Sequence, residues 1–240
     1  MKPEIPYIED PKQEARYRAL ENLGQKLKIP IPSMFLQIEV FDGQGRLIHG
    51  HKQRSHSWTR NAYNCMFSQL AGKDADDATF EAGKLSAKNT AGVIKSGNGA
   101  MGQHTYNQSI DDFTYGYRGP AGDATIGILV GSGLNAESFE DYVLQTQIAE
   151  GAGAGQLNHA AGEAHAISYA APVFKNERVR YFNNNSGGNI DVNEVGLVGS
   201  MWITLNCKML QCRDKLGATV TVPNTGQLKV TYTIQLTYPV

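Results

Sequence analysis

The chain has almost no net charge: 22 Lys and Arg stand against 23 Asp and Glu, a formal balance of -1. A nucleic-acid binder neutralises phosphates with a basic face, so this balance removes the electrostatic argument for such a partner. Cysteine is scarce. Cys65, Cys207 and Cys212 are three thiols at irregular spacing, which excludes a disulfide framework and points to reduced side chains made in a cytoplasm. Long hydrophobic runs are missing: nothing approaches the roughly 18 consecutive apolar residues of a membrane span. Residues 1–10 likewise lack the apolar run of a signal peptide.

Reaction centres are missing as well. There is no G-x-S-x-G elbow. Asp74, Asp76 and Asp77 lack the glycine and terminal glutamate of a calcium loop. His49 and His51, two apart on a strand, and nearby His56 supply two or three of the imidazoles of a zinc site, but no acidic or sulfur ligand accompanies them. A wet strand face accounts for them. Cys207-x4-Cys212 lacks the tight C-x2-C spacing and a second pair. No catalytic residue, cofactor or metal is expected.

What the sequence does contain is strands. From Gln227 to Tyr238, Leu228, Val230, Tyr232, Ile234 and Leu236 alternate with Lys229, Thr231, Thr233, Gln235 and Thr237. A period of two this long predicts a strand with one buried and one wet face. Upstream, strands are predicted at about 164–174, 176–183, 189–198, 201–210 and 218–223. Asn183–Gly188 and Pro223–Gly226 are the turns between them. Near the N-terminus, Met34, Leu36, Ile38 and Val40 alternate into a turn at Asp42–Gly45 and a return strand at Arg46–His49.

Two helices are predicted. Asp10 as N-cap and Pro11 at the first position open one over residues 11–28, which stops ahead of Ile29-Pro30-Ile31-Pro32. Ala15, Ala19, Leu20, Leu23 and Leu27 form its narrow apolar stripe, placed either on its own domain or on a neighbouring subunit. The other runs from Ser57 to Leu70, with Trp58, Ala62, Cys65, Met66 and Leu70 on one face. Between about 72 and 122 lies a polar, Gly-rich tract, too long for an ordinary connection and suggestive of functional or partner-ordered loops. Within it Tyr106, Phe113, Tyr115, Tyr117 and Arg118 are candidates for a partner or glycan contact, or a minor core.

One motif points elsewhere. A strand at Thr125–Val130, then Gly131-Ser-Gly133-Leu-Asn-Ala136, then helical character over Glu137–Glu150 mimics a dinucleotide-binding fingerprint. That unit needs a second, parallel, buried strand after its helix. Here Gly151–Gly162 is glycine-rich and the meander follows. The structural reading wins: Asp141–Leu144 is a short turn whose Tyr142 and Leu144 plug the edge of the fold.

Several of these segments resemble recurring elements of structural proteins from tailed bacteriophage virions: Arg54–Phe67, Ile126–Gly133, Glu140–Ile148, Asn183–Leu197, and Cys212-Arg-Asp through Val222-Pro-Asn to Val230–Ile234. The resemblance spans about residues 54–236 and leaves the N-terminal segment outside. It implies a capsid, neck or tail building block and transfers no catalytic residues. The expectation is therefore a mainly β protein: an antiparallel, jelly-roll-like β-sandwich over 33–240 with a helical arm at 1–32. In function it is a virion structural protein, made in the host cytoplasm, whose partners are copies of itself, other virion proteins and in the alternative a host surface glycan.

Overall fold

The computed structural model describes residues 5–7, 9–71, 85, 87–95, 116–201 and 207–239. In chain order the described elements are α1 (Pro11–Leu27), β1 (Pro32–Phe41), β2 (Leu47–Ser55), α2 (Arg60–Ala71), β3 (Ala87–Lys88), β4 (Ile94–Lys95), β5 (Gly127–Gly131), β6 (Asn158–His159), β7 (Ala166–Ala170), β8 (Val173–Asn183), β9 (Ile190–Met201), β10 (Cys207–Val222) and β11 (Gln227–Thr237). Every strand pair is antiparallel. The larger sheet has the order β2-β1-β11-β8-β6, with β7 also on β8; the smaller is β10-β9-β5, and β3-β4 is a separate hairpin. The fold is thus mainly β with antiparallel sheets, and these stay open rather than closing on one another.

The core lies where predicted alternation places it. Leu36, Ile38 and Val40 of β1, Phe182 of β8 and Leu228, Val230 and Tyr232 of β11 share one buried cluster with Ile128, Val130, Val192, Val195, Leu197, Cys212 and Val220 of the smaller sheet. The β1–β2 turn follows from its residues. Asp42 Oδ1 accepts from the N–H groups of Gln44 and Arg46, both at 2.9 Å, and Gly45 takes φ +75°, a conformation that glycine adopts without steric cost.

Three expectations are corrected and one reading holds. Glu137–Glu150 is an irregular loop, without the helix that a dinucleotide fingerprint would need. Its amides are claimed by a distant carboxylate. The predicted strands at 201–210 and 218–223 do not exist as such: β9 runs to Met201, and β10 continues unbroken from Cys207 to Val222, with register shifts at Leu210/Cys212 and Lys215/Val220. Helix α2 begins at Arg60 rather than Ser57: the Thr59 carbonyl accepts its first bonds, from the N–H groups of Ala62 and Tyr63, the Ser57 hydroxyl donates to Asp214 Oδ1 at 2.7 Å, and Leu70 is 90% exposed. Finally, α1 has its expected start and Asp10 cap, whose side chain accepts from Lys12 N–H, but it turns its polar side to the body, which overturns the placement of its stripe on its own domain. Ala15, Ala19, Leu20, Leu23 and Leu27 are all exposed.

The reason is Arg54 on β2, whose side chain is 5% exposed and ion-paired to Glu14 and Glu21 of α1 at 3.2 and 2.9 Å. Its guanidinium lies between the rings of Tyr17 and Phe35, at 4.8 and 4.9 Å. A buried cation must be paired, so the carboxylates face inward and the leucines outward. Glu14 shows the coupling. Desolvation pushes its carboxyl up, but hydrogen bonds from Arg54, Arg18 and Tyr7 outweigh it and hold the group at about 2.

Candidate functional site

Three of the buried charged groups are held by partners within the fold itself. Glu194 of β9 is fully buried. Its Oε1 accepts from the amides of Gly133 and Thr146 at 3.2 and 2.7 Å, and its Oε2 from that of Gln145 at 3.0 Å and from Arg213 Nε at 2.6 Å. Arg213 donates three further bonds, to Asp141 and to the carbonyls of Ala136 and Asn135. The Gly131-x-Gly133 loop is therefore an anion cradle whose anion is a side chain of the same chain. A Cβ on Gly133 would lie 2.5 Å from Glu194 Oε1, and one on Gly131 would lie 2.6 Å from the Thr146 carbonyl. Leu144 anchors the loop in a small cluster with Leu129, Val198 and Leu210.

Two other centres are equally closed. Asp214 accepts hydroxyl donations from Ser55, Ser57 and Tyr232, each at 2.7 Å. Burial pushes its carboxyl up, and these hydroxyls together with the charge of His56 draw it back. Arg180 gives all its N–H groups to five backbone carbonyls, those of Ala160, Ile126, Ile128, Pro120 and Asp123, at 2.6–3.0 Å. Desolvation lowers this guanidinium to about 10 against the attraction of Asp123 and Glu150.

Of the sequence candidates, Tyr106, Phe113 and Tyr115 lie outside the described residues, as do Asp74, Asp76 and Asp77 and most of the 72–122 tract. Tyr117 packs against the core, with the Arg178 guanidinium 4.9 Å from its ring centre. Arg118 donates to the Gly162 carbonyl at 2.8 Å. The imidazoles separate: His49 is exposed and His51 buried, with Nε2 and Nδ1 3.4 Å apart, whereas His56 faces Glu137 at 3.5 Å. Among the described residues no three His, Cys, Asp or Glu side chains gather as metal ligands, and no helix is long and apolar enough to cross a membrane.

Among the described residues, one end of the larger sheet is left open. Cross-strand partners share a face, and the register pairs Tyr232 with Arg178, Ile234 with Asn176 and Leu236 with Phe174. Next door, Ile167 pairs with Asn176 and Tyr169 with Phe174. Ile167, Tyr169, Phe174, Ile234 and Leu236 thus continue the core face beyond its cover. Tyr232 is fully buried, Phe174 is 39% exposed, Ile167 53% and Tyr169 60%. Sequence alternation marks Ile234 and Leu236 as apolar-face residues but not that their face outruns what covers it.

The sheet's two edges are also treated differently. Beside β2 lies the N-terminal segment: Lys52 N–H donates to the Pro6 carbonyl at 2.8 Å and Arg54 N–H to Glu9 Oε2 at 3.1 Å. On the other side β7, exposed at all five residues, pairs among the described residues with β8 alone. Compared with known proteins, the chain matches no family model, no curated protein and no solved structure.

Proposed function

We propose that this chain is a non-enzymatic structural subunit of a tailed-phage virion. In this reading a jelly-roll-like sandwich body assembles with copies of itself and meets neighbouring tail, neck or capsid proteins through its N-terminal segment (1–32) and its long loops (about 72–122). The virion assignment rests on the resemblance carried by the segments between Arg54 and Ile234. The observation that supports a subunit role is the apolar end of the larger sheet, where Ile167, Tyr169 and Phe174 are exposed beside half-buried Ile234 and Leu236. An apolar patch beside an unshielded strand edge marks a contact surface. Among the buried charged groups, Glu194, Arg213, Asp214 and Arg180 are held by internal partners.

Size-exclusion chromatography with light scattering tests the subunit role. An assembly of defined stoichiometry is expected, and a monomer at every concentration sinks it. A particle map containing this chain tests the virion assignment, and its absence from purified particles overturns that part.

A second reading has its own observation. At the turn end of the larger sheet, Phe41, Tyr181, Asn183, Asn185, Thr225 and Gln227 line an open cleft of about 500 Å³. Amides beside aromatic rings are the surface a sugar uses, which fits a receptor- or carbohydrate-binding module of a phage appendage. Glycan-array binding that Tyr181→Ala abolishes supports that reading, and a blank array ends it.

A further inference from the structure

We infer that β7 is a self-pairing edge: the β7 strands of two copies join antiparallel about a two-fold axis through Ser168, extending the larger sheet from one protomer into the next. The inference rests on the subunit reading above and names its surface and partner.

The first support is the contrast between the edges. The β2 edge is shielded by the chain's own residues 5–9 and carries Lys52 and Arg54. Ala166-Ile167-Ser168-Tyr169-Ala170 has no charge, no proline and no bulge against β8. Unassembled proteins blunt their edges with such features, and an edge without them is a template for another strand.

The second support is the order of residues, which selects a second copy. Read from Ser168 in both directions, the strand is nearly the same: Ser, then Ile or Tyr, then Ala. A two-fold contact brings each residue opposite its mirror position. Antiparallel pairing centred on Ser168 therefore sets Ile167 against Tyr169 of the second copy, Ala166 against its Ala170, and Ser168 against its Ser168. Two aromatic-to-β-branched pairs result, of the kind that stabilises sheets, with no like charges opposed. Out of register by one residue, Ile167 and Tyr169 would move to the other face.

The third support is that this register makes the open surface continuous. Tyr169 and Phe174 already pack at 6.0 Å between ring centroids, on the face that also carries Ile167. Across the two-fold the row Leu236–Phe174–Tyr169 runs on into Ile167 of the second copy, so both uncovered ledges merge.

A charge-swap experiment tests the register. Ser168 is exposed, so Ser168→Lys and Ser168→Asp should each melt with the unsubstituted chain. In each variant alone, like charges meet on the axis and light scattering should show the assembly dissociated at concentrations where the parent holds together. An equimolar mixture should restore the parent mass, because Lys then faces Asp. If the parent assembles but Ser168→Lys keeps its mass, β7 pairing is refuted while the subunit reading stands on another surface. A parent that is monomeric throughout refutes both.

Discussion

Replacing Glu194 by glutamine removes a buried charge and little volume. The carboxylate accepts from three loop amides and one guanidinium, whereas a glutamine side chain has one acceptor oxygen and turns an NH2 group toward at least one N–H. Arg213, with a side chain 2% exposed, loses its closest anion at 2.6 Å. Breaking a buried pair by removing one partner costs about 3–5 kcal/mol. The lower end applies here, since Arg213 keeps Asp141 at 2.9 Å and two carbonyls. At 2–4 °C per kcal/mol for a chain of this size, about 3 kcal/mol lowers Tm by roughly 6–12 °C. Calorimetry measures the shift, and hydrogen exchange locates it: the amides of Gly133, Gln145 and Thr146 should lose protection ahead of β11. A Tm within about 2 °C of the parent, with those amides still protected, would show that the loop holds its shape without the anion.

Three further outcomes are expected. Leu228→Ala, at a fully buried position of β11, should cost about 2–5 kcal/mol, and Ile234→Ala, half-buried on the same face, less than half as much; equal costs in urea titrations would place Ile234 in the closed core. Burial lowers His51 and His159 from the usual imidazole value, with His49 and Arg180 respectively adding repulsion; the unfolded chain therefore binds those protons first, and their contribution to stability, complete above about pH 6.5, is lost as pH falls below it. His159→Gln should flatten that decline between pH 7 and 5, measured as the difference from the parent so that the opposite trend of Asp214 cancels, and an unchanged slope counts against it. Deleting residues 1–28 strips both carboxylates from Arg54, so Tm should fall, and Arg54→Met in the same deletion should recover part of the loss; no recovery would mean that the unpaired guanidinium is not what the deletion harms.

The readable parts of the sequence were those whose causes are local. Strand β11 shows its alternation because one face meets the core and the other water, and α1 shows its start because Asp10 caps its own helix. What α1 faces was not readable, since the deciding group is Arg54, far along the chain on β2. For the Glu137–Glu150 loop the turn was readable but its cause was not: its order comes from Glu194, and nothing in its own residues reveals that a carboxylate about fifty positions away will take its amides. The gap expected at 211–217 in β10 holds Arg213 and Asp214, yet both are buried, matched by Glu194 and by the hydroxyls of Ser55, Ser57 and Tyr232. At the open surface the residue types of Ile167 and Tyr169 were visible, while their exposure depends on how far the smaller sheet reaches.

The pairing of β1 with β11 has a consequence for biosynthesis. Glu39 and its partner Lys229 are 190 residues apart, and β1 occupies an interior place between β2 and β11. At about 5–20 residues per second, a ribosome takes some 10–40 s to deliver the second strand after the first. Throughout that interval the β1–β2 hairpin has an apolar face and an unpaired central strand, the combination most prone to mispairing between nascent chains on one message. Residues 5–9, already synthesised, can cover only the β2 side. Translation of the segment between the two strands therefore sets the earliest time at which β1 can gain its native partner.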